Sequence, residues 1–225
     1  GCGGLLSFLS KHKRDIDIVF ITDGRPTWSD PYPMIDKRNK EAKKLGRNLE
    51  ANIYFLELDN VKLNIESSHL EFVKKLMNDN NYDSVFIPWL LDAPPKHRLC
   101  NFLLKKAFDK TRLCNKLQFY NYQVQTDLIT NFYFDYTKYF HEKQNLISIY
   151  DSQLEFQNYC HLSKGLDAWN ARFVGLSKAE KYIETYHQIP YEEWRSLMEW
   201  YDLDIEQTFR GDEACIKSYK DFMKN

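Results

Sequence analysis

The sequence contains no run of about 18 apolar residues, which excludes a membrane-spanning helix from the expectations. It shows no charged segment followed by an apolar one near its start, so no secretory leader is visible. It has no excess of positive charge: 31 Lys and Arg stand against 32 Asp and Glu, for a net charge of −1. No basic stripe runs along it, which disfavours a nucleic-acid partner. Cysteine is scarce and odd in number, at Cys2, Cys100, Cys114, Cys160 and Cys215, and no Cys-x-x-Cys pair occurs. Free thiols in a reducing cytoplasm follow, rather than a disulfide framework or a cysteine zinc site. No linker, internal repeat or low-complexity stretch interrupts the chain, so one domain is expected over residues 1–225.

What the chain has is apolar and aromatic bulk. Hydrophobic residues make up 43% and aromatic ones 16% of 225 residues. That is enough for a substantial core, with aromatic rings to spare for stacking on sugars. Short β-branched and aromatic runs alternate with helical patterns. Strands are predicted over Ile16–Thr22, Asn52–Leu58 and Ser84–Leu90, with helices from about Ile35 to Leu49, Ser67 to Asn78 and His97 to Lys110. Three prolines among residues 25–34 predict a loop there. The second half predicts strands over Leu117–Val124 and Leu128–Phe134. Helices are expected over Tyr139–Tyr150, Leu154–His161, Lys178–Tyr186 and Tyr191–Trp200.

Alternating strand and helix is the pattern of βαβ units around a parallel sheet. Ligands of such sheets bind beyond the carboxyl ends of the strands. Asp23, Asp59, Asp92 and His97 all fall at predicted strand ends or helix starts. Asp23 and Asp59 are candidates for sugar hydroxyls, against turn formation and capping, the common use of Asp. Asp92 is a candidate to orient His97, against a loop cap before Pro94. Trp28 and Tyr32 could wall a sugar pocket or pack a loop. The other histidines share no metal-like spacing.

Five segments, in order, resemble the PIG-L/LmbE family of zinc-dependent sugar N-deacetylases. Gly1-Cys-Gly-Gly-Leu-Leu6 is similar to the segment after that family's His-Pro-Asp-Asp-Glu motif, and Phe20-Ile-Thr-Asp-Gly24 to its second strand and turn. Arg38-Asn-Lys-Glu41, followed by Leu45-Gly46, is similar to its Arg-x-x-Glu helix. Phe86-Ile-Pro-Trp-Leu-Leu-Asp92 with His97 is similar to the segment of its His-Pro-Asp-His motif. Lys143 with Tyr150-Asp-Ser-Gln153 is similar to its late Lys…Ser-Gln helix.

The resemblance implies a Rossmann-like three-layer α/β fold with a mostly parallel sheet, lacking its first strand, and a helical carboxyl-terminal part. It implies Zn²⁺ as cofactor, an N-acetylglucosamine-type substrate in polysaccharide or glycoconjugate biosynthesis, and a hydrolytic reaction. His97 would be one zinc ligand and Arg38 a sugar contact, while the family's base and its other ligands would lie ahead of Gly1. A start at Gly1 rather than Met fits an amino-terminally incomplete chain. Pro94 and Lys96 stand where the family has His and Asp. This departure keeps open a second expectation, a non-catalytic sugar-binding or scaffold relative. A third, a nucleotide-binding domain with Gly1–Gly4 as phosphate loop, lacks the full Gly-x-Gly-x-x-Gly spacing and a preceding strand.

Overall fold

In this computed structural model, helix α2 runs over Pro31–Leu49, four residues ahead of its predicted start. The prolines read as a loop begin the helix instead. Asp30 caps it, its side chain accepting from Tyr32 N at 3.2 Å. Pro31 takes the first helical position, where a missing N–H costs nothing. The structure describes residues 1–26, 30–92, 94–108, 116–125 and 127–200. Trp28, Cys114 and Cys215 fall outside them. The remaining elements are α1 (Gly3–Lys11), β1 (Asp17–Thr22), β2 (Asn52–Leu58), α3 (Ser67–Asp79), β3 (Ser84–Pro88), α4 (Pro95–Phe108), β4 (Gln118–Tyr122) and β5 (Phe132–Asp135). They continue with α5 (Phe140–Ile147), α6 (Asp151–Leu154), α7 (Tyr159–Asn170), β6 (Ile183–Pro190) and α8 (Tyr191–Trp200).

The result is a mixed α/β fold whose residues form two compact units. One comprises residues 1–64 and 132–185, the other 65–131 and 186 onward. In the first, β1 and β2 pair in parallel from Asp17↔Asn52 to Phe20↔Phe55, with a register shift before Thr22. Leu45 and Leu49, one turn apart on α2, bury themselves with Leu146 and Ile149, against Ile18 and Phe20 of β1. Each such side chain contributes about 2 kcal/mol. In the second unit, β3 and β4 pair in parallel, Ser84↔Gln118 to Pro88↔Tyr122. The second half of β6 runs antiparallel to β4, Tyr122↔Tyr186 to Gln118↔Pro190. Helix α4 buries Leu99, Leu103 and Ala107 at helical spacing. On α8, Trp194 stacks on Phe119 with centroids 4.4 Å apart.

Two expected helices differ. Residues 178–186 form a loop and the start of β6. The charged run Lys178–Lys181 suggests a helix, but Tyr182 to Tyr186 alternates aromatic and β-branched residues with Glu184, and a strand packs these better. Leu154–His161 splits because Asn158 caps a new helix, accepting from His161 N at 3.0 Å. Among the described residues, no helix is long and apolar enough to cross a membrane.

Candidate active site

Beyond the carboxyl end of β1 lies a cavity of about 190 Å³, lined by Phe20, Asp23, Gly24, Arg38, Tyr150 and Gln153 among others. Arg38 is its central cation. Its Nη1 donates to the carbonyl oxygen of Gly24. With its amide oxygen facing the guanidinium, Gln153 accepts from Nη2 at 2.7 Å and from Nε at 3.2 Å. Burial lowers the Arg38 pKa, an effect opposed by Glu41 and Asp23, and a guanidinium keeps its charge under such a shift. Gly24 is required where it stands. Its φ is +68°, and a Cβ there would lie 2.7 Å from Arg38 Cδ and Nη1. Burial also pushes the Tyr150 phenol up, so Tyr150 faces the cavity as a protonated hydroxyl.

Glu41, one turn beyond Arg38, does not line this cavity. Its carboxylate accepts from Ser152 N at 2.8 Å and from Ser152 Oγ at 2.6 Å. Two pairs therefore lock α2 to α6: Arg38 with Gln153, and Glu41 with Ser152. The Arg-x-x-Glu and Ser-Gln patterns are visible in the sequence, but their mutual pairing is not.

Asp23 and Asp59 meet through Arg25. Arg25 Nε donates to Asp23 Oδ2 at 2.6 Å, and Arg25 Nη1 to Asp59 Oδ2 at 3.0 Å. Asp23 also accepts from Asn60 N at 3.2 Å. The backbone N–H groups of Lys62 and Val61 hold the Asp59 carboxyl below the usual carboxylate range. Both carboxylates thus tie the β1 and β2 exit loops together, and of the two only Asp23 lines the cavity. Tyr32, on the first turn of α2, does not line it.

His97 and Asp92 belong to the other unit. His97 Nδ1 lies 2.5 Å from Asp92 Oδ2, and the fully buried Asp92 also accepts from Gln125 N at 3.0 Å. Asp92 thereby fixes the ring and leaves Nε2, on a side chain 28% exposed, as the nitrogen able to bind a metal. This suits one ligand position. Among the described residues no three His, Cys, Asp or Glu side chains could hold a metal together, so they do not complete a zinc site by themselves. Pro94 accepts from His97 N at 3.1 Å through its carbonyl, and Lys96 is exposed.

A buried charged cluster in the first unit escapes sequence reasoning. Lys143, only 3% exposed, lies 2.6 Å from Asp167 Oδ2 and 2.7 Å from Glu184 Oε1. Tyr136 OH donates to Asp167 at 2.5 Å, while Glu184 accepts from Gly4 N at 2.7 Å and Leu5 N at 2.9 Å. Glu184 thus occupies the amino terminus of α1, where a negative charge is favoured. The available signal was an acidic residue between Ile183 and Thr185 in an otherwise apolar strand pattern.

Comparison with known proteins places these observations in a family context. No curated protein matches the chain by sequence. Among solved structures, GalB, the 4-carboxy-2-hydroxymuconate hydratase of Pseudomonas putida, is similar with a TM-score of 0.70 at 14% identity, over 83% of this chain and 89% of that one. The N,N'-diacetylchitobiose deacetylase of Pyrococcus horikoshii is similar with a TM-score of 0.69 at 19% identity, over 84% and 78%. The conserved protein TT1542 of Thermus thermophilus gives 0.66 at 17% identity, over 84% and 89%. At these identities the likeness establishes a shared fold. In sequence, residues 1–108, which carry Asp23, Arg38, Glu41, Asp59, Asp92 and His97, match the model of the PIG-L family, GlcNAc-PI de-N-acetylase.

Proposed function

We propose that this chain belongs to a hydrolase that removes the acetyl group from an N-acetylglucosamine-type sugar or saccharide conjugate, in polysaccharide or glycoconjugate biosynthesis. The carrying observation is the match of residues 1–108 to the de-N-acetylase family, within which Arg38 is held at a cavity beyond a strand end. Arg38, pinned by Gly24 and Gln153, orients the sugar, and the Tyr150 hydroxyl and Asp23 offer further polar contacts. Zinc is the metal this reading requires, with His97 as one of its three protein ligands and Asp92 holding the imidazole. The others belong to a His-Pro-Asp-Asp-Glu segment, which this sequence does not contain. When bound, zinc would polarise the acetamide carbonyl.

The test is acetate release from N-acetylglucosamine by the full-length protein. His97→Ala is expected to abolish turnover and zinc binding, while Arg38→Ala raises KM with zinc retained. Equal, small effects of both changes would refute these roles. The second reading, a sugar-binding relative without chemistry, draws on Pro94 and Lys96 at the positions of the family's His and Asp. It predicts sugar binding without acetate release.

A further inference from the structure

Helix α7 is inside out. Its buried residues include Asp167 and Asn170. Asp167 accepts from Lys143 Nζ, Tyr136 OH and Ser163 Oγ, and Asn170 Nδ2 reaches the Ile183 carbonyl and Thr185 Oγ1 at 3.5 Å. The helix packs on its own unit through polar groups. Leu162 and Trp169, seven residues apart and so on one face, are turned to solvent, Trp169 with 65% of its surface exposed. The apolar exposure continues past the helix. A 3₁₀ turn over Ala171–Val174 leaves Phe173 and Val174 exposed. Gly175 then takes φ +101°, and the next residue, Leu176, is as open as in an extended peptide, at 107%. Seven of the 14 exposed large hydrophobic side chains fall within residues 156–176, so they form a patch rather than a scatter.

The charge around this patch is one-sided. Lys164, Arg172 and Lys178 are exposed, and the exposed acid between residues 159 and 180 is Glu180. The chain as a whole carries −1. Arg172 lies 4.2 Å from the ring centres of both Trp169 and Phe173, so a cation is fixed within the aromatic surface. Two copies pairing through this face would oppose these cations to one another. An anionic surface with an apolar layer beneath it meets both features at once. Aromatic rings sit at the headgroup level, Leu176 and Phe173 enter the acyl boundary, and the cations stay with the phosphates.

We propose that the face formed by α7 and the turn through Leu176 docks on a bilayer containing anionic phospholipid. This placement is independent of whether the chain releases acetate.

The experiment is co-sedimentation of the full chain with vesicles of phosphatidylcholine alone and of phosphatidylcholine with phosphatidylglycerol, at low and high salt. Wild type is expected to pellet with the anionic vesicles and to be released by salt. Phe173→Ser/Leu176→Ser should lower partitioning by at least about tenfold, since each side chain loses its apolar burial. Arg172→Gln/Lys178→Gln should lower it about fivefold per charge and flatten the salt response. All four positions are exposed, so thermal melting should stay unchanged. Failure of wild type to pellet with anionic vesicles overturns the proposal, as does equal pelleting of wild type and Phe173→Ser/Leu176→Ser. Equal binding to both vesicle types removes the anionic lipid. A concentration-dependent dimer without lipid, lost in Trp169→Ser, assigns the face to a second copy instead.

Discussion

Replacing Lys143 with Met removes the one cation that the structure places between two buried carboxylates. Lys143 is 3% exposed, and the side chains of Asp167 and Glu184 are 6% and 2% exposed, so solvent screens the pair poorly. Removing one partner of such a site costs about 3–5 kcal/mol, because the remaining charges are left uncompensated. At about 2–4 °C per kcal/mol for a chain of this size, the melting temperature should fall by roughly 6–20 °C. The dependence on pH gives a sharper test. Burial alone would lower the Lys143 pKa, but the charges of Glu184 and Asp167 outweigh it and the net shift is upward. A raised folded pKa means that this stabilisation is fully present below the unfolded value of about 10.4 and is lost as pH rises through the folded one. In Lys143→Met the sign moves to the carboxylates. Without the cation their folded pKa values rise, so the variant gains by binding protons and is closest to wild type in acid. Melting by circular dichroism at about pH 5 and about pH 8 should therefore give the larger difference at the higher pH. A variant within about 1 kcal/mol of wild type at both pH values would refute the reasoning.

Three further outcomes are expected. Gly24→Ala forces a side chain onto φ +68° and 2.7 Å from Arg38; it should cost about 1–3 kcal/mol and weaken sugar binding, read together by melting and titration. Ser152→Ala removes a buried hydroxyl that donates to Glu41 at 2.6 Å; it should cost about 1.5–3 kcal/mol by denaturant unfolding while Arg38 keeps Gly24. Pro94→His/Lys96→Asp restores the family's side chains, and acetate release from a protein that also carries the His-Pro-Asp-Asp-Glu segment should rise about 100-fold or more if an oxyanion donor was missing.

Much of the first half was legible because its strands are apolar runs ended by polar turns. Asn52–Leu58 appears with its predicted bounds, and so does helix Tyr191–Trp200. Errors arose where one residue type has two meanings. Proline ends helices and also starts them, so α2 began earlier than expected once Asp30 capped it. The alternation around Glu184 was masked by lysines before it, because the carboxylate's partners, Lys143 and the amino terminus of α1, are far away in sequence. At the site, Arg38 was legible by resemblance. That Arg25 ties Asp23 to Asp59 was not, since the clamp depends on β1 and β2 being neighbours. Helix α7 defeats periodicity altogether. Its apolar stripe marks the solvent side, and only the position of Lys143 explains why its polar side faces in.

The seat of α1 on Glu184 also orders events in time. The two hydrogen bonds that satisfy its first turn join residues separated by 180 and 179 positions. The unit holding them is built from residues 1–64 and 132–185, with 65–131 belonging elsewhere. A chain emerging from the ribosome makes α1 first and its cap nearly last. Until residue 184 is available, the amino-terminal segment waits with open N–H groups while the intervening stretch passes. Such long closures are slow to form, and the waiting segment is the exposed one during synthesis. Loss of the chain beyond about residue 180 would therefore be felt first at its opposite end.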